Sequence, residues 1–272
     1  MWVVIRMRKK SFKILISLFL IISVAFYGYR IYLNNNFHKI QGTYNRKFKD
    51  HVVFYPQHQD DEILWAGSAI IKAIEQCGVD NVYITLVSDG SGVNVFKNNK
   101  KFRNLSRKEK VELRNNEFKD ALKQIGVKKE NIIILADIDK TPGTHYDLME
   151  KTILGFEEKF DSVTHIAHHP EFDDHEMHRK NGQVLKKLSK EHKVKDALYF
   201  VKPKYIKEIP VKDRIIYDVN NEGDYNKLKK ACDEYKIVDE KNNKLGIGYT
   251  SAHSYFDNLL KDHKFTSILS TQ

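Results

Sequence analysis

The chain has 272 residues, 41% of them hydrophobic and 30% charged, with five prolines and two cysteines. That length accommodates one α/β domain of about 220 residues plus an appendage, and the composition excludes a disordered chain or a disulfide framework. The net charge of +10 does not imply a nucleic-acid partner: six basic residues (Arg6, Arg8, Lys9, Lys10, Lys13, Arg30) precede residue 34 with no acid among them, and no basic stripe with interleaved aromatics follows.

From Ile14 to Tyr29 the chain carries no charge. Lys13 and Arg30 can snorkel at its edges, which makes a span of about 18 to 20 residues available, and Tyr27, Tyr29 and Tyr32 would form an aromatic set at one interface. The alternative is a cleaved signal peptide, for which Ser23-Val24-Ala25 offers only a weak processing site. The expectation is therefore an uncleaved anchor. Residues 1–33 would be a basic cytoplasmic tip and transmembrane helix, 34–50 a polar linker, and 51–272 a domain on the extracytoplasmic side of the cell membrane.

Within the domain, apolar runs predict strands at 51–55, 82–87, 131–135, 163–167, 197–201 and 214–218. Helical spacing lies between them: a segment from Ile63 closing at Gly78, one opening on a Ser106/Glu109 capping box and ending at Gly126, and segments near 147–159 and 178–190. Amphipathic stretches at 224–235 and 251–260 read as packing helices. Strand alternating with helix predicts a Rossmann-like, doubly wound, mostly parallel sheet, with ligands bound outside the carboxyl ends of the strands. Cys77 and Cys232 fall in helical patterns and read as buried apolar residues, the alternative being a disulfide if the domain lies outside the cell.

Two clusters follow predicted strands. The first is His58-Gln59-Asp60-Asp61-Glu62; the second holds His165, His168, His169, Glu171, Asp173, Asp174, His175, Glu176 and His178. Six of the chain's twelve histidines fall in these two places. A hydrolytic zinc site needs three nitrogen or oxygen ligands and one position left to water. His58 and Asp61, three apart, can supply two, and the second cluster a third. The competing readings are acids that cap the next helix and a solvated polar helix start.

Together the clusters resemble the PIG-L/LmbE-like family of zinc-dependent N-acetylglucosaminyl deacetylases, whose signatures are HPDDE and a later HPDHRxxG. Here the second reads His175-Glu176-Met177-His178-Arg179-Lys180-Asn181-Gly182, and Arg114-Asn115-Asn116-Glu117 is similar to the family's RxxE helix. The resemblance spans roughly residues 48–240. It departs at Gln59, where the family has proline, and at Glu176-Met177, where it has Pro-Asp; Met177 cannot play the supporting part of that acid. The resemblance implies a metal held by His58, Asp61 and His178, Asp60 as general base, His175 as oxyanion stabiliser or acid, and Arg114 as a sugar contact. It implies zinc, although such ligand sets also take iron, manganese or cobalt. Asp137 and Asp139 stand where the family often places a sugar-binding acid, and Asp89 on the same rim. His168 and His169 read as spare ligands or pocket walls, His165 as a buried structural histidine, Glu117 as a helix brace and Glu62 as a cap or a prop for His58. The function implied is N-deacetylation of an N-acetylated amino sugar or glycan. The alternatives are a metal hydrolase of another amide and a catalytically silent sugar-binding module.

Overall fold

The computed structural model describes residues 22–25 and 40–272. The expected membrane helix falls outside them apart from 22–25, which are helical; no described helix is long and apolar enough to cross a membrane. Residues 42–272 pack as a unit of their own.

In chain order this unit contains β1 (Thr43–Tyr44), β2 (His51–Phe54), α1 (Asp61–Cys77), β3 (Val82–Leu86), α2 (Arg107–Gln124), β4 (Ile132–Ile134), α3 (Tyr146–Lys159) and β5 (Val163–His168). It continues with α4 (Glu176–Lys190), β6 (Ala197–Phe200), β7 (Arg214–Tyr217), α5 (Glu222–Glu234), β8 (Val238–Asp239), β9 (Lys244–Leu245), α6 (Ile247–Lys261) and β10 (Ser267–Ser270). The local signals act as expected. Ser106 accepts from the Glu109 amide while Glu109 reaches back to the Ser106 amide at 2.7 Å, closing the capping box of α2. Gly78, at φ 84°, ends α1 and donates to the Ile74 carbonyl.

The strands of the main sheet run in the order β1-β7-β10-β6-β5-β2-β3-β4. Neighbours are parallel except β10, which is antiparallel to both β6 and β7. Alternation along β2 sorts its side chains to two cores. Val52 and Phe54 join α1, α2, α5 and α6 on one face; Val53 and Tyr55 join α3 and α4 on the other. Burying each of these side chains contributes about 1.5 to 3 kcal/mol, so a one-residue slip of β2 would exchange both sets at once.

Four strands depart from the sequence reading. Thr43–Tyr44, expected in the linker, pairs with β7 at the sheet edge; β10 lies between β6 and β7; and β8 pairs with β9. β1, β8 and β9 are two residues long, too short for a periodic signal.

Successive strands run outward from β2 through β3 to β4, and then the chain returns to place β5 on the other side of β2. This reversal leaves a crevice at the carboxyl ends of β2 and β5, the place where doubly wound sheets bind ligands. Phe54 is in register with Ile166, so the residues after β2 and the end of β5 emerge level with each other. Gly182 lets α4 close on that point. A Cβ there would lie 2.0 Å from the His168 carbonyl oxygen and 2.7 Å from the Pro170 nitrogen, both backbone atoms that cannot swing aside. Gly182→Ala should therefore destabilise the fold by about 1 to 3 kcal/mol, the usual range for overpacking, as measured by chemical denaturation; an unchanged midpoint would show that α4 has slack.

Candidate metal centre

His58 is the second residue after Pro56 in the loop leaving β2, and Asp61 opens α1. The helix-cap reading is not what the carboxylates do. Asp60 stands at the N-cap but makes no side-chain cap bond, while Asp61 turns back, its Oδ2 accepting from the His58 amide at 2.8 Å and its Oδ1 from the Trp65 indole N–H at 2.9 Å. Trp65 is one helical turn along, where i,i+4 side chains meet.

The second cluster approaches across the crevice. β5 ends on His168, a loop follows, and His175 caps α4 by accepting from the Met177 amide, so that His178 lies in the first turn. His178 is 4% exposed, which excludes the solvated helix start.

His58 Nδ1 lies 3.0 Å from His178 Nε2, His178 Nε2 3.3 Å from Asp61 Oδ2, and Asp61 Oδ2 3.4 Å from His58 Nδ1. Metal bonds of about 2.0 to 2.2 Å at tetrahedral angles would set ligand atoms about 3.3 to 3.6 Å apart. The donor set fits a zinc-like ion capping the triangle, with its remaining side open. Among the described residues two overlapping groups could hold an ion, His58/His175/His178 and Asp61/His168/His178. His168 Nε2 is 3.3 Å from Asp61 Oδ2, but that nitrogen already accepts from the Gln57 amide at 3.2 Å. The first ring thus has its lone pair engaged by backbone, and His58 the freer one.

The charges follow from this packing. Burial works against the Asp61 carboxylate, yet the imidazoles of His178 and His168 outweigh it and hold its pKa well below the ordinary value. Burial likewise disfavours the His178 cation, but Asp61 and Asp173 together raise its pKa to about 9. Burial and the neighbouring His178 push His168 down to about 4.

Asp60 points elsewhere. Its φ of 141° is strained for a residue with a side chain, a cost of about 1 to 3 kcal/mol that its surroundings must hold in place. Arg114 Nη2 bonds both the Gln59 carbonyl and Asp60 Oδ2, the latter at 3.0 Å; Glu62 accepts from the Asp60 amide and from the Tyr235 hydroxyl. Burial raises Asp60 to about 6 in spite of the Arg114 cation, and raises Glu62 to about 8 in spite of the Tyr235 hydroxyl. Gln59, in place of the family's proline, ties the loop to α2 through Asn115 and to the Asp89 carbonyl.

Other expectations divide. Arg114, named as a sugar contact, is 2% exposed and faces inward on Asp60 and Glu117, because two buried carboxylates need its charge. Glu117 accepts from the Ile247 and Gly248 amides at the start of α6. Asp89 is buried against Ser91, Gly143 and Arg107, Asp139 is exposed near His145, and His165 is buried on Tyr55 and Glu157. His175 stands at the mouth, its ring centre 5.0 Å from that of His58 and 4.7 Å from that of His178. Sequence reasoning assigned no role to Trp65, Asp173 or Lys202. The first was recoverable from its i+4 spacing to Asp61; the Asp173–Lys202 pair, 2.8 Å apart across 29 positions, was not.

Residues 52–236 match the family of GlcNAc-PI de-N-acetylases, PIG-L. The chain belongs to this family. Solved PIG-L-like structures share the fold. The N,N'-diacetylchitobiose deacetylase of Pyrococcus horikoshii is 15% identical over 78% of this chain and 77% of its own, with a TM-score of 0.51. A triple-mutant deacetylase of the teicoplanin biosynthetic pathway is 14% identical over 82% and 98%, with a TM-score of 0.53. The A40926 pseudoaglycone deacetylase is 14% identical over 82% and 96%, with a TM-score of 0.50. No curated protein sequence matches the chain.

If this PIG-L site takes a metal through His178, a proton must leave that ring below pH 9. Adding Zn2+ to the metal-free protein at pH 7 should release protons, seen with an indicator dye, and affinity should weaken as the pH is lowered. Binding without proton release would remove His178 from the ligand set.

Proposed function

We propose that this chain is a zinc-dependent hydrolase that removes the acetyl group from N-acetylated amino sugars, as free N-acetylglucosamine-type conjugates or as glycans. The observation that carries the reading is the triangle of His58 Nδ1, Asp61 Oδ2 and His178 Nε2, with Asp60 next to it in the chain and held on a separate network. When bound there, zinc would lower the pKa of a water and polarise the acetyl carbonyl.

The protein's own groups account for the proton. Asp60, with a pKa near 6, is ionised at neutral pH yet basic enough to accept a proton from the attacking water. Arg114 and the Glu62–Tyr235 pair keep its carboxylate and its strained backbone in one orientation. His175 accepts from the Met177 amide at Nδ1, which leaves Nε2 protonated and free to donate to the oxyanion that develops on the acetyl group. As the carbon–nitrogen bond breaks, the proton held by Asp60 passes to the departing amine; acetate and the free amino sugar are released.

The proposal includes place. The uncharged run from Ile14 to Tyr29, with basic residues before it, supports an anchor that leaves the catalytic domain outside the cytoplasmic membrane, where acetylated glycans are its neighbours. Protease added to intact protoplasts should remove the domain and spare the first ten residues.

The decisive experiment is acetate release from a panel of N-acetylated sugars, with and without Zn2+. Asp60→Asn should keep the metal and lose about 10² to 10⁴ in rate, the usual range for a general base. Near-full activity in that variant would assign the base to another group, and no acetate from any sugar would leave the fold without this chemistry.

A further inference from the structure

Met177 stands where the family places an acid, yet a carboxylate does reach the histidines from the loop before them. We infer that Asp173, backed by Lys202, is the positioning residue that orients His178 for the metal, an inference that rests on the metal site proposed above. Asp173 is 4% exposed, and its Oδ2 lies 3.1 Å from His178 Nδ1. A carboxylate at that nitrogen keeps the proton on Nδ1, turns the lone pair of Nε2 towards His58 and Asp61, and makes the ring a stronger donor.

The other oxygen of Asp173 is spoken for as well. Oδ1 accepts from the His175 amide at 2.8 Å and from Lys202 Nζ at 2.8 Å, so the carboxylate cannot rotate away from His178. Lys202, 5% exposed, also donates to Asp174 at 2.7 Å, and its ammonium lies 5.2 Å from the centre of the Trp65 ring and 5.9 Å from that of Tyr255. Trp65 is the residue whose indole N–H holds Asp61 Oδ1. One buried cluster therefore grips two of the three ligands from behind: Asp61 through Trp65 and His178 through Asp173, with Lys202 in contact with both. With His178 and Lys202 as its partners, Asp173 is not an unpaired buried charge. The supporting acid stands not at the position before His178 but five residues before His178 itself, where the loop and not the helix presents it.

The test uses the full chain and Zn2+, with affinity read by competition against a chromophoric chelator and geometry read from the visible absorption of bound Co2+. In Asp173→Asn the amide nitrogen must face either His178 Nδ1–H or Lys202, and both are donors. Zn2+ affinity should fall about 10- to 100-fold, the range seen when such partners of a metal ligand are removed, and the Co2+ spectrum should change. Lys202→Met should shift both in the same direction by less. Lys204→Met, which removes an exposed lysine that bonds Asp174 but not Asp173, should shift neither. Wild-type affinity and spectrum in a folded Asp173→Asn protein overturn the inference alone. Should that variant not fold, wild-type affinity in Lys202→Met does so. A wild-type chain that binds no Zn2+ overturns the proposed site, and this inference with it.

Discussion

Asp61 is a carboxylate with 3% of its surface exposed, and the site is the set of groups that make such burial tolerable. An ionised carboxylate removed from water is destabilising by several kcal/mol unless its charge is met and its lone pairs are filled. Here the His58 amide and the Trp65 indole donate to it and three imidazoles face it. Those donors come from separate parts of the chain, and they converge only because β2 and β5 are neighbours at the point where the strand order reverses. The register of two parallel strands thus becomes a statement about electrostatics. Without it the acid after β2 would have no counter-charge and would take up a proton.

The adjacent Asp60 shows how one step along the chain changes the chemistry. Asp61 begins a helix and faces imidazoles; Asp60 sits in a strained turn between a guanidinium and another acid. Burial is common to both, and the neighbours pull their pKa values apart, one well below the ordinary range and the other up to about 6. Two carboxylates separated in this way can divide the labour of holding an ion and moving a proton. Arg114 is essential to the division, which accounts for its being turned inward.

The sequence was informative where short-range physics decides the outcome. Alternation in β2, the Ser106 capping box and the glycine after α1 each act over a few residues, and each is found as expected. His58, Asp61 and His178 were legible because metal chemistry restricts the residue types and because both clusters follow strands. Burial depth was less so. Arg114 read as a sugar contact, and nothing in its neighbours announces that Asp60 and Glu117 would close over it. Asp173 was visible in the histidine cluster, but its part depends on Lys202, which arrives from the far end of β6. Pairings of that kind are set by the tertiary fold and leave no periodic trace.

β10 lies between β6 and β7 and hydrogen-bonds to both. The family match stops at residue 236, well short of this strand. During synthesis β2 to β6 can pair as they emerge, but the hydrogen-bonded ladder from β6 to β7 is completed only when residues 267–270 have left the ribosome. The sheet is closed like a zip whose last tooth lies in its middle. Until then β6 presents a bare edge to its surroundings, an invitation to mispairing.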